Sequence, residues 1–395
     1  MKHILACLAA LAACAQASDN NPTETYGAAP QLRAPHAGLL PTIHTADPIG
    51  WADGAAPVAP EGFTVTRYAE GLDHPRQVYL LPNGDVLIAE SSTQAESGGG
   101  LMGWIRNLVQ KGAGAISVSP NRITLLRDAD HDGVVETRTV FLENLNQPYG
   151  MALVGDYFYV GNTDAVVRFP YTAGATQLSG APQVILPLPH REGDNGHWTR
   201  NLIARDDGSK LYVAVGSSSN IADHGIADEE GRAAIWEFNP DGSGARIFAS
   251  GLRNPVGLGF APGTETLWVS VNERDMLGDD LVPDYFTSVR DGAFYGWPYS
   301  YYGQHVDDRV KPQNPDLVAT AIAPDYALGA HTASLGLHFY GYDAFPEQLL
   351  ERRVHRPARF VESFRACRLQ SRVCAVQGGP ACGRCRGFPH RLSQR

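Results

Sequence analysis

The feature that most constrains this chain is a unit that recurs four times between Gly71 and Ser270. Each copy begins with a polar loop, continues into a strand-sized apolar run, passes a Gly/Asp turn and ends in a second apolar run. Short apolar runs bounded by Gly, Asp and Pro predict β-hairpins. Repeats of about 40–75 residues are typical of β-propeller blades, whose strand edges a closed ring removes. The sequence therefore predicts an all-β propeller over residues 61–350, with the opening loops of the units at one end of the channel.

Composition agrees with this fold class and narrows the partners. The chain has 395 residues, of which 42 are Gly and 27 are Pro, and 43% are hydrophobic. A closed all-β fold of this length can form a single unit. The formal net charge of −10 argues against a nucleic-acid partner, because phosphate binding needs a clustered positive surface. A small, weakly charged substrate fits better.

The first residues predict export. A short basic start precedes an apolar run from Ile4 to Ala13, which is too short to span a bilayer, so residues 1–17 are interpreted as a signal peptide. The run ends in Leu-Ala-Ala-Cys, which resembles a bacterial lipoprotein signal and would leave Cys14 lipidated; cleavage after Ala17 is the alternative. Both versions predict a periplasmic protein. In the first version a lipid on Cys14 would anchor the protein to the outer membrane, and no other membrane contact is expected. Residues 18–60 are interpreted as a linker or an extended N-terminal arm.

Two of the opening loops carry candidate catalytic residues. His197 lies in a Gly/Asn-rich loop and is a candidate general base, since histidine ordinarily titrates near working pH. An incidental surface histidine is the alternative. Arg253 lies in the next opening loop and could bind a carboxylate or stabilise developing negative charge. An ion pair between blades would be the structural alternative.

Two acidic segments favour calcium, which binds carboxylate and carbonyl oxygens in flexible geometry. One is residues 272–284. The other has the D-x-D-x-D-G spacing of a calcium turn, with candidate ligands Asp128, Asp130 and Asp132. It lacks the bidentate glutamate of an EF-hand, because position 139 is Thr139. A solvated β-turn is the alternative for this second segment.

The order of these motifs resembles the soluble quinoprotein glucose/sorbosone dehydrogenase family. The motifs are His197, Gly-Leu-Arg-Asn-Pro-x-Gly-Leu at 251–258, Asn-Glu-Arg-Asp at 272–275 and Tyr-Gly-Trp-Pro at 295–298. The resemblance is closest to the sorbosone dehydrogenase branch and runs from about residue 62 to residue 346. It implies a six-bladed propeller that binds pyrroloquinoline quinone (PQQ) over its channel, with a calcium ion on the quinone.

The resemblance also implies roles for individual residues. His197 would take the proton from the anomeric hydroxyl while hydride passes from that carbon to PQQ. Arg253 would contact the quinone and offset its growing charge, with Asn254 beside it. The main-chain carbonyls of Arg274 and Asp275 would hold the calcium ion.

The function implied is oxidation of a sugar or a sugar-derived aldehyde, with an external electron acceptor. Gln147 falls where the family places a substrate-binding glutamine. Asn195 and Gly196 stand where relatives often carry an acidic neighbour of the base, which leaves the tuning of His197 open. A calcium-dependent propeller lactonase or hydrolase, or a non-catalytic sugar-binding propeller, are the alternatives.

The chain changes character in residues 351–395. This segment holds 11 Arg, no Lys, 2 acidic residues and 4 of the 6 Cys, and it shows no strand alternation. A one-base shift of reading frame permits GGFIGQHGSWNRSEPVGY over 352–369, which resembles the family's closing blade. The segment is therefore predicted to be an aberrant, out-of-frame tail, so that the last blade is lost and this chain could be inactive. A zinc or redox motif at Cys382 and Cys385, or a basic nucleic-acid tail, are the alternatives.

Overall fold

The computed structural model describes residues 25–36, 50–94 except 51, 53, 60 and 61, 107–108, 111, 117–339 except 192 and 194, 358–363, 372–377 and 386–387. The signal peptide, Cys14 and most of the 351–395 segment lie outside the described residues. Among the described residues, no helix is both long enough and apolar enough to cross a membrane.

The structure is an all-β propeller, as predicted, and four blades follow one another along the chain. A short strand of the N-terminal arm, β1 (Tyr26–Gly27), precedes them. Blade I contains β2 (Pro75–Leu80), β3 (Val86–Glu90), β4 (Arg122–Arg127) and β5 (Thr137–Leu142). Blade II contains β6 (Gly150–Val154), β7 (Tyr157–Gly161), β8 (Ala165–Pro170) and β9 (Gln183–Pro187). All pairings within these two sheets are antiparallel.

The next two blades recruit extra strands. Blade III contains β10 (Leu202–Ala204), β11 (Leu211–Val215), β12 (Ala234–Phe238) and β13 (Arg246–Ser250). Blade IV contains β14 (Asn254–Phe260), β15 (Leu267–Asn272) and β16 (Pro283–Ser288). The strand β17 (Ala293–Phe294) pairs in parallel with β13, and a hairpin of β18 (Ser300–Tyr301) and β19 (His305–Val306) follows. After a short helix α1 (Pro315–Val318), the strand β20 (Tyr326–Ala330) joins β16, and β1 pairs with the outer edge of β20.

The core lies between neighbouring blades, which explains why several strands are apolar on both faces. All five residues of β11 are buried, because one face packs on blade II and the other on blade IV. Between blades I and II, the Phe158 ring meets Phe141 and Tyr79 edge to face, with centroids 5.3 and 6.1 Å apart. Closed packing of this kind holds the loops between strands in fixed positions.

One face of blade I is exposed. Val78 and Leu80 of β2 retain 63% and 58% of their accessible surface, whereas the first strands of blades II to IV contain no exposed residue. No described element covers this face of β2. The side chain of Tyr79, which alternates with these residues, packs toward blade II.

A further four-stranded sheet follows blade IV. It is formed by β21 (His338–Phe339), β22 (Ala358–Ser363), β23 (Arg372–Gln377) and β24 (Arg386–Gly387). Leu337 and Phe339 pack against Ala261 and Phe286 of blade IV. Three of its strands lie in the 351–395 segment, where the sequence shows no strand alternation. Six blades are not confirmed, and the frameshift hypothesis stays a prediction.

Candidate functional site

The predicted site residues lie on loops at one end of the propeller. Because neighbouring strands are antiparallel, the loops that enter β6, β10 and β14 share an end with the connections β7–β8, β11–β12 and β15–β16. Gln147, His197, Arg253 and the 272–275 segment all belong to this set. The connection β4–β5, which carries the other acidic segment, lies at the opposite end.

The hydrogen bonds of His197 define its tautomer. Its Nδ1 lies 3.0 Å from the Ser217 carbonyl and 3.0 Å from the Ser217 hydroxyl. The Ser217 hydroxyl donates its proton to the Ser219 carbonyl at 2.7 Å, so it can only accept from the imidazole. Both partners of Nδ1 are thus acceptors, and Nδ1 carries the proton. The neutral ring therefore has its lone pair on Nε2, the atom that a general base uses.

Two buried arginines hold the backbone around His197. Arg200 is fully buried and donates to the carbonyls of His197 at 2.8 Å and Pro189 at 2.9 Å. Arg232 donates to the Asn195 carbonyl at 2.6 Å and to the Ser217 carbonyl at 3.2 Å. Burial, followed by the charge of Arg232, lowers the pKa of Arg200 to about 9. These contacts fix the position of the histidine loop and make its surroundings electropositive.

Arg253 holds two loops together. It donates from Nη1 to the Glu273 carbonyl at 2.6 Å, and from Nη2 to the Asn220 Oδ1 at 2.9 Å. A longer contact of 3.5 Å joins Nη2 to the Asp275 carboxylate. Its backbone carbonyl accepts from the Ser217 N–H at 2.8 Å, which connects it to the partner of His197. The structure therefore brings His197, Arg253 and Asp275 together at one end of the propeller.

Asn254 lies beside His197 across a glycine. A Cβ atom on Gly216 would lie 2.5 Å from both Asn254 Oδ1 and His197 Cβ, so only glycine allows this approach. The Asn254 Oδ1 atom is buried and has no hydrogen-bond partner among the described residues. The amide oxygen next to the candidate base is thus an acceptor that no described residue satisfies.

Two main-chain carbonyls of the 272–275 segment differ in their partners among the described residues. Asp275 O accepts from Asn220 Nδ2 at 3.2 Å, whereas no described residue donates to Arg274 O. The Arg274 side chain points away from the site, since it is 1% exposed and forms an ion pair with the buried Asp307 at 2.8 Å. Only main-chain atoms of Arg274 are thus available for a metal ion.

Burial, hydrogen bonds and neighbouring charges shift the pKa values of two histidines in the site. Burial, with the Arg253 charge as the next cause, lowers the pKa of His197 from 6.5 to about 3. The sequence had placed this histidine near its ordinary pKa, and that expectation is wrong in the structure as it stands. A hydrogen bond to Asp275 raises the pKa of His331 to about 9. His331 is thus the cationic partner of Asp275 at neutral pH.

A cavity of about 410 Å³ adjoins the histidine loop. Its lining is mostly polar and comes from blades I to III: Thr93, Gln94, Asn146, Gln147, Thr163, Asp164, His190, Arg191, Gly193, Asn195, Gly196 and Trp198. Gln147 is buried in its wall and donates from Nε2 to the Ser92 carbonyl at 2.9 Å. Gln147 and the two residues that flank His197 therefore share one cavity.

The acidic turn contains a fourth carboxylate, that of Glu136, which the sequence pattern did not predict. Carboxylate oxygens of Asp128, Asp130, Asp132 and Glu136 lie within 4.8 Å of one another. The turn is organised by its own backbone, with Gly133 N donating to Asp128 at 2.9 Å. The EF-hand template directs attention to position 139, whereas Glu136 approaches because the chain turns back into β5. Calcium binding at this turn stays a prediction.

Ser217, Arg232 and His331 were also missed. Ser217 belongs to a Ser-Ser-Ser run in the β11–β12 connection, and Arg232 closes the same connection. Neither lies in the repeated opening loops, so the internal repeat gives no signal for them. The Gly-Ser-Ser-Ser-Asn run directly after a fully apolar strand was the one local indication.

Comparison with models of protein families shows the family to which the chain belongs. A family model described as TrAA12-like matches residues 57–283, more than half of the chain. The chain belongs to the TrAA12-like family. Aldose sugar dehydrogenase YliI of Escherichia coli is 29% identical over 107 residues, 27% of each chain. An uncharacterized protein of Borreliella burgdorferi is 28% identical over 177 residues, 43% of this chain and 44% of the relative. The matches therefore span less than half the length of these two relatives.

Solved structures share the fold. The calcium structure of a Trichoderma reesei AA12 carbohydrate-active enzyme has a TM-score of 0.61 at 15% identity, covering 82% of this chain and 84% of that one. The holo PQQ domain of pyranose dehydrogenase from Coprinopsis cinerea gives 0.55 at 18%, covering 82% and 80%. The PQQ-bound aldose sugar dehydrogenase of Streptomyces coelicolor gives 0.52 at 18%, covering 84% and 86%. At this identity the likeness establishes the propeller fold.

Proposed function

We propose that this member of the TrAA12-like family is a PQQ-dependent oxidoreductase that oxidises a sugar or a sugar-derived aldehyde. The observation that carries the proposal is His197, a neutral imidazole with its lone pair on Nε2, set among buried guanidinium groups. Relatives and structural neighbours named as sugar dehydrogenases support it, two of them as PQQ forms.

The residues fit a planar polycarboxylate such as PQQ. Arg253 and Arg232 both lower the pKa of His197, so the site attracts an anion. The unpartnered Oδ1 of Asn254 can accept from a ring N–H, and the Arg274 carbonyl offers an oxygen to calcium, with Asp275 O beside it. When bound, PQQ would accept the hydride and calcium would act on it as a Lewis acid.

The protein's own contribution is positioning and proton transfer. His197 Nε2 takes the proton of the substrate hydroxyl while Ser217 holds Nδ1 protonated. Burial is the largest cause that lowers the pKa of His197 and the Arg253 charge is the next, so an anion beside Arg253 would offset the second cause and raise this pKa. As positioned, all the contacts of Arg253 go to the Asn220 and 272–275 loops, so it acts through its charge and by holding these loops.

The polar cavity next to His197 suits a substrate rich in hydroxyl groups. Gln147, Asp164 and Asn146 contribute hydrogen-bonding groups to its lining, and Trp198 contributes an aromatic side chain. We assign the substrate to the aldoses and related aldehydes on this basis, with the sorbosone-like aldehydes as the finer proposal. Electrons would leave to an external acceptor.

Reconstitution tests the proposal. The purified protein is mixed with PQQ and Ca²⁺; binding of PQQ is followed by tryptophan fluorescence, and reduction of a dye is followed with a panel of aldoses. We expect saturable PQQ binding and sugar-dependent dye reduction. His197→Gln should lower the rate by about 10²–10⁴-fold. The matched control is His305→Gln, an exposed histidine of the β18–β19 hairpin.

The outcomes separate the function classes. Lactone hydrolysis that is indifferent to PQQ would identify a hydrolase. Sugar binding that survives His197→Gln, without turnover in the parent protein, would identify a binding protein. Either result would overturn the proposal.

Export and lipid attachment are part of the same proposal. Cys14 follows Leu-Ala-Ala, and the rest of the chain would then face the periplasm. Incorporation of labelled palmitate that is lost in Cys14→Ser would support the anchor. Cleavage after Ala17 with no label would refute it.

A further inference from the structure

We propose that the N-terminal arm, residues 25–36, contributes to the cofactor site by stabilising the backbone conformation of the loop of residues 275–281. This inference rests on the proposed function, since the neighbouring carbonyls of Arg274 and Asp275 are the calcium ligands proposed above. The arm follows the segment predicted to be a signal peptide and would otherwise count as a tether.

The arm is attached to blade IV along its length. β1 extends the blade as an edge strand, with Tyr26 opposite Leu328 and Gly27 opposite Ala327. The Tyr26 ring sits so close to Gly329 that a Cβ there would lie 2.7 Å from it. Leu32 then packs against the buried cluster that contains Leu277 and Leu281. The arm thus reaches the 275–281 loop as an ordered chain.

At its end the arm contacts the loop directly. The His36 N–H donates to the Leu277 carbonyl at 2.8 Å, and the His36 carbonyl lies 2.9 Å from where a Cβ of Gly278 would be. Arg33 forms an ion pair with Asp280 at 3.4 Å. Gly278 has φ 113°, a conformation that side chains disfavour. The loop is therefore shaped to accept the arm.

Three successive loop carbonyls are each satisfied by a different part of the chain. Met276 O accepts from Arg309 at 2.9 Å, Leu277 O accepts from the His36 N–H, and Gly278 O lies 3.0 Å from His331 Nε2. Met276 has φ 71°, so the loop holds a backbone conformation that it would not keep unaided. Removing the arm would release the middle carbonyl of the three and loosen the backbone that begins at Asp275.

Asp275 connects this loop to the candidate site. The N–H of Asp275, the first residue of the loop, donates to Asn220 Oδ1 at 2.9 Å, and the Asp275 carboxylate contacts Arg253 and His331. Displacement of the loop would move the Asp275 carbonyl relative to that of Arg274. The arm is thus a positioning element for the proposed calcium ligands.

A pair of substitutions at one residue tests the inference. His36→Pro removes the N–H that binds Leu277, whereas His36→Ala keeps it and changes only an exposed side chain. The first measurement is hydrogen exchange of the Asp275 and Met276 amides in protein without PQQ. The second is the dissociation constant of Ca²⁺ with PQQ present, by titration calorimetry.

We expect His36→Pro to speed exchange in the loop and to weaken Ca²⁺ binding by about 2- to 12-fold, the equivalent of one lost hydrogen bond. His36→Ala should match the parent protein in both measurements. Parent-like exchange in His36→Pro would overturn the inference. If the parent protein binds neither PQQ nor Ca²⁺, the proposed function fails, while the exchange measurement still decides whether the arm holds the loop.

A charge swap keeps the test independent of the proline. Arg33→Glu places two negative groups together at Asp280, and Arg33→Glu with Asp280→Arg restores an opposite pair. Faster loop exchange in the single variant, reversed in the double variant, is the expected result. Arg67→Glu, which alters an exposed pair with Glu70, serves as the control. Equal exchange in all of these proteins would also overturn the inference.

Discussion

The ion pair between Arg274 and Asp307 gives the sharpest test of the packing beneath the site. Both side chains are buried, at 1% and 2% exposure, and their atoms are 2.8 Å apart. The Arg274 Nε and Nη2 atoms have no hydrogen-bond partner among the described residues, so Asp307 is the one carboxylate bonded to this guanidinium there. Asp307→Asn keeps the shape, and its Oδ1 can still accept from Arg309 N. It removes the countercharge, and it replaces the oxygen that accepts from Arg274 Nη1 with an amide NH₂ group.

The expected loss is large. Breaking a buried ion pair from one side typically costs about 3–5 kcal/mol, because the remaining charge stays desolvated without compensation. The free energy of unfolding of Asp307→Asn should therefore be lower than that of the parent protein by about 3–5 kcal/mol. Replacing both partners, as in Arg274→Met with Asp307→Leu, should recover most of the loss, since no charge is then buried.

Urea unfolding followed by circular dichroism measures the effect. Asp308→Asn is the matched control, because it makes the same charge change at the neighbouring exposed position. The control should stay within about 0.5 kcal/mol of the parent protein. If Asp307→Asn unfolds like the control, Arg274 has access to water, and the reasoning from burial is refuted.

Three further predictions concern the site and the acidic turn. Gly216→Ala should lower the free energy of unfolding by about 1–3 kcal/mol, and Gly50→Ala, where nothing lies within 4 Å, should not. The ring of His197 should stay neutral from pH 7 to pH 4 in nitrogen-15 NMR spectra, because its pKa is lowered to about 3; titration near pH 6.5 would show a solvated ring. Since the unfolded histidine binds its proton near pH 6.5, this group makes the fold less stable as pH falls below that value. Without PQQ, Ca²⁺ at 100 times its dissociation constant should stabilise the protein by about 2.7 kcal/mol, and Asp130→Asn should abolish this gain while Asp308→Asn retains it.

The repeated hairpins were predictable because the apolar runs and turn residues that specify them are close together in the sequence. Runs such as Leu211–Val215 are apolar throughout, and Gly or Asp residues mark the turns between them, as at Gly155 with φ 53°. Strands that pack on both faces must be apolar on both faces, so the pattern of a propeller blade is visible before any contact is known. The same logic placed Gln147, His197 and Arg253 on loops at one end.

The contacts that make these loops into a site were not predictable. Ser217 fixes the tautomer of His197 from a different loop, and Glu136 joins the acidic turn from a position after the end of its motif. The arm reaches the 275–281 loop across more than 200 residues of sequence. A local pattern carries no information about such partners, because they are set by how the blades stack.

The sequence by itself determined the class of fold, the end of the propeller where the polar loops meet and the residue types available there. Those properties follow from hydrophobic patterning and turn chemistry, which act between near neighbours in the chain. Only the tertiary structure decided the charge state of His197, the buried position of the Arg274 side chain and the contacts of the arm. The reason is physical: desolvation and hydrogen bonding depend on which atoms exclude water around a group, and that is fixed only when distant segments pack together.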